Sequence, residues 1–424
     1  MIQRRLTDLK QRVERLSPFS IIAAAVIVRI LFAFAWALFV NVPPENVPLS
    51  GETYFQAGAD GYIQIARTLL TSGEYAFTPG GFAAHNRPPV QPILLLIFGA
   101  WSAQYWYLFW FIGSGLISLL YLFCLKKLAD DLSYNAFQRN VLLLVVGFHP
   151  YLIFISKTTT FIPAAIGLLT ITVFFFLRIS RSPKRYAALT GLMSGIVALT
   201  HGVFILLPAV FSGLLFFHRK LAMRSRVMAS VIIILLASAI VTPWTIRNYR
   251  TFGMFIPVVT GNGFNYWKGS GVYFGTKNFS ADIIRDVAGE KLEIIYYGAK
   301  DPRHDRILWQ EALKDMKKRP FRLLPRMLIG VYTFFTPLCG SKWKPYVTGV
   351  LNFPVLTLIA LFFVRNMKEK TLRYRHFVAL GVFAYIVLAY SFFLSWGVYF
   401  LIVVPLMLFL VVDLWRTQPL MKKQ

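Results

Sequence analysis

Asp60 and Arg87 are the two side chains in this sequence whose types and spacing best fit a chemical role. Asp60 directly precedes a predicted short helix, and Arg87 directly precedes two prolines. A carboxylate can take a proton from a hydroxyl group, and a guanidinium can bind a phosphate. The two prolines make the preceding residues extended and therefore give Arg87 a set direction. Capping of the helix by Asp60 is the structural alternative, because aspartate is a favoured capping residue.

A second group of polar and aromatic residues lies much later in the chain. It comprises Trp244, Arg247 and Asn248, followed by a glycine-rich stretch over 261–269 that contains Lys268. Glycine lets the backbone approach a ligand closely, and two cations beside aromatic rings would suit a sugar phosphate. The aromatic residues have an alternative role as anchors at a membrane interface.

The composition places both groups in a membrane protein. Of the 424 residues, 57% are hydrophobic and the mean hydropathy is +0.58, which is too apolar for a soluble protein of this length. The formal net charge is +27. Because Lys and Arg alternate with apolar runs, membrane orientation explains the charge more simply than nucleic-acid binding. Membrane lipids are therefore expected partners, and nucleic acid is not.

Apolar length and the positions of Lys and Arg predict about ten transmembrane helices in a single membrane domain over 1–424. Both termini are then cytoplasmic, and two long segments lie on the outer side, at about 41–103 and 244–344. The apolar stretch 322–338 is predicted as an interfacial helix. The predicted spans are 19–40, 104–125, 139–156, 160–178, 186–200, 203–218, 226–243, 345–364, 377–394 and 397–414.

The first outer segment has the pattern of a short amphipathic helix. Tyr62, Ile65 and Leu69 share one face, and Gly73 stands just past the end. We expect this helix to lie along the membrane surface with Asp60 as its N-cap. A second short helix is predicted at about 91–102.

Several stretches occur in the order found in a known family of membrane enzymes. In these stretches the chain resembles the GT-C superfamily of polytopic glycosyltransferases, nearest the bacterial glycosyltransferase 39 or protein O-mannosyltransferase-like group, which is related to the aminoarabinose transferase of lipid A. The resemblance covers nearly the whole chain. The main matching residues are Asp60, Tyr62, Ala66, Arg87, Pro88, Pro89, Pro92, Gly191, Gly195, Pro243, Trp244, Arg247, Asn248, Phe252, Gly253, Gly263 and Gly269.

The resemblance implies a GT-C-like all-α fold and an inverting glycosyltransferase in a bacterial inner membrane, with its active site on the extracytoplasmic side. The donor would be a polyprenyl-phosphate-linked sugar, the acceptor a lipid, a glycan or a protein, and no cofactor would be needed. The resemblance assigns Asp60 as the catalytic base and Arg87 as the ligand of the donor phosphate, with Arg247 and then Lys268 as further candidates. The expected substrate pocket includes Tyr62, Asn86, Trp244 and Asn248.

The chain departs from the family pattern at several positions. Gly61 follows Asp60 where many relatives carry a second acid, Lys157 replaces an acidic residue of the next outer loop, and His201 stands where arginine is usual. Because paired carboxylates are missing, no bound metal is predicted. Lys157 has two interpretations, a phosphate contact or a lysine at a helix end that extends to the interface.

Two other functions remain open at this stage. One is a transporter or flippase for lipid-linked glycans, which would favour charges at mid-membrane such as Arg29. Arg29 has a structural alternative, in which it pairs with backbone carbonyl groups. The other is a catalytically degenerate relative that acts as an accessory protein.

Overall fold

The structure is a computed structural model, and it describes residues 2–39, 60–102, 105–275, 280–295, 298–336, 344–394 and 399–416. These residues are mostly helical. One small antiparallel sheet pairs β1 (Ile294–Ile295) with β2 (Gly298–Ala299). The helices are α1 (Ile2–Arg15), α2 (Pro18–Phe39), α3 (Tyr62–Ser72), α4 (Val90–Leu95), α5 (Trp106–Asp131), α6 (Ala136–Gly147), α7 (Pro150–Ile155), α8 (Ile162–Leu177), α9 (Pro183–Ala198), α10 (Leu207–Phe216), α11 (Met223–Phe252), α12 (Asn262–Phe274), α13 (Ser280–Ala288), α14 (Pro302–Lys318), α15 (Leu323–Phe335), α16 (Lys344–Lys368), α17 (Tyr374–Phe393) and α18 (Val404–Arg416).

Each predicted span overlaps helix in its described part, and the span 139–156 is interrupted between α6 and α7. In the described residues, four helices are long and apolar enough to cross a membrane by themselves, namely α2, α5, α11 and α17. The chain is therefore an all-α integral membrane protein, and the number of its crossings stays a prediction. Helix α15 has 13 residues, a length of about 20 Å against roughly 30 Å of hydrocarbon, which fits its predicted interfacial position.

Glycines allow α9 and α11 to pack closely. A Cβ atom at Gly191 would lie 2.8 Å from the carbonyl oxygen of Ile233, and one at Gly195 would lie 2.9 Å from that of Ala237. Two small residues four positions apart let helix backbones approach in a membrane, where packing must replace the hydrophobic effect. Gly191 and Gly195 thus have a packing role.

Arg29 satisfies the end of a broken helix inside the bundle. Pro150 cannot continue a helix, so α6 stops at Gly147 and leaves carbonyl groups without helical partners. Arg29 is 2% exposed, and its Nη2 donates to the carbonyl oxygens of Val146 and Gly147 at 3.0 Å each. Its Nη1 donates to Ser118 Oγ at 3.0 Å. The pairing with backbone carbonyls predicted for Arg29 is confirmed.

A buried charged cluster joins α17 and α18 at the end that the sequence predicts to be cytoplasmic. Asp413 is fully buried and accepts hydrogen bonds from Arg375 Nη2 and Tyr134 Oη, at 2.9 Å each. His376 Nε2 lies 2.8 Å from the same carboxylate. Arg375 therefore neutralises a buried acid, in addition to adding positive charge to that side.

Candidate functional site

A cavity of about 160 Å³ forms where five separate parts of the chain meet. Its wall comes from the first outer segment, the turns before α8 and α10, the start of α12 with Gly298, and the end of α17 with Tyr399. In the predicted topology every one of these parts lies on the outer side. Among the candidate site residues, those that line this cavity are Asp60, Tyr62, Asn86, Arg87 and Lys268.

Asp60 is the one carboxylate among the described residues that line the cavity. The prediction that it caps α3 is wrong. The N-cap position is Gly61, whose φ of 77° is left-handed, and no side chain caps the helix. This glycine conformation sets Asp60 one residue ahead of the cap. Burial raises the pKa of Asp60, and the charge of Arg87 opposes the rise.

Arg87 is held against the backbone of Asp60. Its Nε donates to the carbonyl oxygen of Asp60 at 2.7 Å, and its Nη1 donates to that of Asn86 at 2.9 Å. The guanidinium also lies over the ring of Tyr62, 5.5 Å from its centroid. Tyr75 Oη donates to the carbonyl oxygen of Arg87 at 3.1 Å. These contacts fix a positive charge beside the only acid of the described cavity wall.

Helix α12 supplies the opposite wall of the cavity. Gly261, Asn262, Asn265 and Lys268 all line it, and the last three lie three residues apart along one helical face. Lys268 therefore brings a second cation into the cavity that contains Asp60.

Asp305 determines how α12 begins. It is 6% exposed, and its carboxylate accepts hydrogen bonds from the backbone N–H groups of Gly261 at 2.8 Å and Phe264 at 2.9 Å. Burial raises the pKa of Asp305, and these backbone hydrogen bonds oppose the rise. Asp305 is therefore a buried, hydrogen-bonded carboxylate and not part of a solvated surface. Since the protein's own carboxylate occupies this helix start, the glycine turn does not offer these amides to a phosphate.

Three candidate residues do not line the cavity and instead hydrogen-bond to nearby backbone, namely Trp244, Arg247 and Asn248. Arg247 Nη1 donates to the carbonyl oxygen of Ala84 at 3.0 Å, and Nη2 donates to that of Tyr75 at 3.2 Å. The indole N–H of Trp244 donates to the carbonyl oxygen of Val258 at 2.6 Å. Asn248 Nδ2 donates to the same oxygen at 3.2 Å. These three residues of α11 thus connect the end of the helix to the first outer segment and to Val258, and they lie outside the cavity that contains Asp60.

His85 also joins the parts of the site, a role that the sequence did not reveal. Its Nδ1 lies 2.5 Å from Thr260 Oγ1, and its Nε2 lies 2.7 Å from the carbonyl oxygen of Lys300. The backbone N–H of Thr260 in turn donates to the carbonyl oxygen of His85 at 3.1 Å. These bonds connect the first outer segment to two separate parts of the second, at Thr260 and at Lys300.

Aromatic residues form much of the remaining cavity wall. The rings of Tyr390 and Tyr399 stack with centroids 4.1 Å apart, and those of Phe161 and His201 stack at 4.3 Å. All four residues line the cavity. Sequence patterns could not find this group, because it combines residues from distant parts of the chain.

Two places among the described residues can be tested for a metal site, namely the cavity and a cluster of side chains elsewhere. Asp60 alone is too small a ligand set for a hard divalent cation in the described cavity wall. Elsewhere, Glu290, Asp301 and His304 place potential ligand atoms within 4.8 Å of one another. There Arg303 binds Asp301 and His304 Nε2 lies 2.6 Å from Glu290 Oε2, so protein groups already satisfy the cluster.

Comparisons with known proteins give only distant similarities. No protein-family model and no curated protein matches the chain. The crystal structure of ArnT from Cupriavidus metallidurans in the apo state is similar at 14% sequence identity and a TM-score of 0.41, over 93% of this chain and 77% of that chain. The structure of the same protein bound to undecaprenyl phosphate gives 13% identity and a TM-score of 0.42 over the same shares. Likenesses this distant carry no conclusion about activity.

Proposed function

We propose that this chain is an integral-membrane inverting glycosyltransferase that moves a sugar from a polyprenyl phosphate to an acceptor hydroxyl group. The observation that carries the proposal is the joint position of Asp60 and Arg87 in one cavity, with Arg87 Nε bonded to the Asp60 backbone at 2.7 Å. One acid and one fixed cation are the groups that this transfer requires. The resemblance noted in the sequence supports the same function.

The reaction is a single displacement at the anomeric carbon. The acceptor oxygen bonds to this carbon as its proton passes to the Asp60 carboxylate. The carbon–oxygen bond to the phosphate breaks, and polyprenyl phosphate leaves with the electron pair. Arg87 and Lys268, which share the cavity with Asp60, stabilise the charge of the leaving phosphate. Since the base activates the acceptor without bonding to the sugar, the displacement inverts the anomeric configuration.

Burial of Asp60 favours its role as a base. The raised pKa of this carboxyl group increases its affinity for a proton, whereas an exposed aspartate is a weaker base. Trp244, Arg247 and Asn248 are then positioning residues, because their hydrogen bonds hold the loops that form the cavity. We place the site on the extracytoplasmic face of a bacterial inner membrane, and the acceptor is a lipid, a glycan or a protein.

The proposal is tested with purified protein in lipid vesicles and a polyprenyl-phosphate donor that carries a radiolabelled sugar. Extracted membrane material from cells serves as the source of acceptors. We expect the label to leave the donor and to enter a new glycoconjugate with the opposite anomeric configuration. A transporter would move the donor across the vesicle with its sugar–phosphate bond intact. An accessory protein would do neither.

A further inference from the structure

His201 lies in the turn between α9 and α10, in the wall of the cavity that contains Asp60 and Arg87. Its ring stacks on Phe161 with centroids 4.3 Å apart and planes 24° apart. Its Nδ1 faces the backbone N–H of Val203 at 3.4 Å and Tyr390 Oη at 3.3 Å. The ring is therefore held on one face and along one edge.

These neighbours determine the tautomer of His201. A backbone N–H can only donate, so Nδ1 must accept from Val203 and cannot carry a proton. Burial, assisted by the charge of Arg87, lowers the pKa of His201 to about 3, which keeps the ring neutral near pH 7. In a neutral ring the proton is then on Nε2. In the described part of the chain the hydrogen-bond contacts of the His201 ring are made at Nδ1, and Nε2 has no partner but keeps some exposed surface. The Nε2–H bond is thus available to a ligand in the cavity.

The charged groups of the cavity have other roles in the proposed transfer, so the neutral Nε2–H group of His201 serves a different contact. Arg87 and Lys268 are the cations, and Asp60 is the acid, among the described residues of the wall. In the proposed transfer the cations hold the phosphate and Asp60 must receive the acceptor's proton. A protonated amine on the sugar would be repelled by both cations and would compete for Asp60. It would also be unable to accept a hydrogen bond from His201.

We propose that the donor sugar is uncharged and that His201 determines this specificity by donating Nε2–H to one of its hydroxyl oxygens. The inference rests on the proposed glycosyl transfer. The stacked rings of Tyr390 and Tyr399, with centroids 4.1 Å apart, complete a neutral wall beside His201. Aromatic faces can pack against the C–H groups of a sugar ring, and no charge is needed there.

The test measures binding of three lipids to the full-length protein in nanodiscs at pH 7. They are polyprenyl phosphate carrying an uncharged hexose, the same lipid with one hydroxyl of the hexose replaced by an amine, and polyprenyl phosphate without sugar. We expect the uncharged donor to bind at least about tenfold more tightly than the amine-bearing one, since one such charge contact costs over about 1.4 kcal/mol. Equal affinities, or a preference for the amine, would overturn the proposal.

Variants of His201 locate the contact. His201→Phe keeps the stacking on Phe161 and removes the donor, and we expect about fivefold weaker binding of the hexose lipid with unchanged binding of sugar-free polyprenyl phosphate. His201→Gln can present an amide N–H near the position of Nε2 and should bind the hexose lipid within about twofold of the natural protein. If His201→Phe weakens both lipids equally, His201 contacts the phosphate and the proposal fails.

The two proposals fail in different ways. Full turnover by an Asp60→Asn variant would refute the assignment of Asp60 as base and leave the binding pattern of His201 intact. Selective binding of the amine-bearing donor would refute the inference on His201 and leave glycosyl transfer intact. If no glycosylated lipid binds the natural protein, both proposals fall.

Discussion

Replacement of Asp60 separates a catalytic role from a structural one. Asp60→Asn preserves the size of the side chain and removes its ability to take a proton. In the described residues Asp60 makes no capping hydrogen bond, because Gly61 occupies the N-cap of α3. The burial of the carboxyl group also opposes its ionisation. The structure therefore predicts that this change affects turnover and leaves stability intact.

A catalytic role and a capping role of Asp60 predict effects on different quantities and of different size. Loss of a positioned base lowers turnover about 10²–10⁴-fold, which is roughly 3–5 kcal/mol of transition-state stabilisation. If Asp60 were only a helix cap, Asp60→Ala would lower the free energy of unfolding by about 0.5–2 kcal/mol and would leave turnover per folded molecule unchanged. We expect the opposite combination, with unfolding of both variants close to that of the natural protein.

The assay combines donor turnover in vesicles with thermal unfolding in the same lipid. Asp286→Asn is a matched control, because Asp286 is 64% exposed and forms a surface ion pair with Arg285 at 2.9 Å. Such a pair contributes about 0–1 kcal/mol, so both readouts should stay unchanged. Normal turnover by Asp60→Asn, together with lower stability of Asp60→Ala, would refute the assignment of Asp60 as the base.

Arg87→Lys keeps the charge but loses the fork of the guanidinium and its bond to the Asp60 backbone, so the KM for the donor should rise about tenfold with little change in unfolding temperature. Asp305→Asn leaves backbone amides of α12 without a charged acceptor, and denaturation should reveal a loss of about 1–3 kcal/mol. Burial raises the pKa of Asp60, so turnover should fall with decreasing pH at an apparent pKa above the ordinary value of about 3.9. The raised pKa of Asp60 also stabilises the folded protein at low pH, and this stabilisation is lost as pH rises through the raised pKa. As the pH is lowered, turnover should therefore decline before the protein unfolds. If the residual turnover of Asp60→Asn declines in acid as it does in the natural protein, the decline does not come from Asp60.

The structure corrected several interpretations made from the sequence. The cap of α3 shifted by one residue because Gly61 takes a left-handed conformation that Asp60 would rarely adopt. The glycine turn at the start of α12 looked like a phosphate site, but Asp305 from α14 occupies it. Arg247 carries the right charge for a phosphate, yet backbone carbonyls of the first outer segment surround it.

The sequence by itself determined the membrane setting, the positions of the apolar helices and the pairing of Asp60 with Arg87 as candidates. Apolar run length, helical periodicity and proline stiffness are local properties, and they can be read along the chain. The position of Gly73 just past the end of α3 was predicted in this way, and the structure has Gly73 as the C-cap of that helix. Only the tertiary structure decided which polar groups share the cavity. It joined His201, Tyr390 and Lys268 to Asp60 and left Arg247 outside. Such contacts depend on how helix ends converge in space, and that convergence is set by packing between helices far apart in the chain.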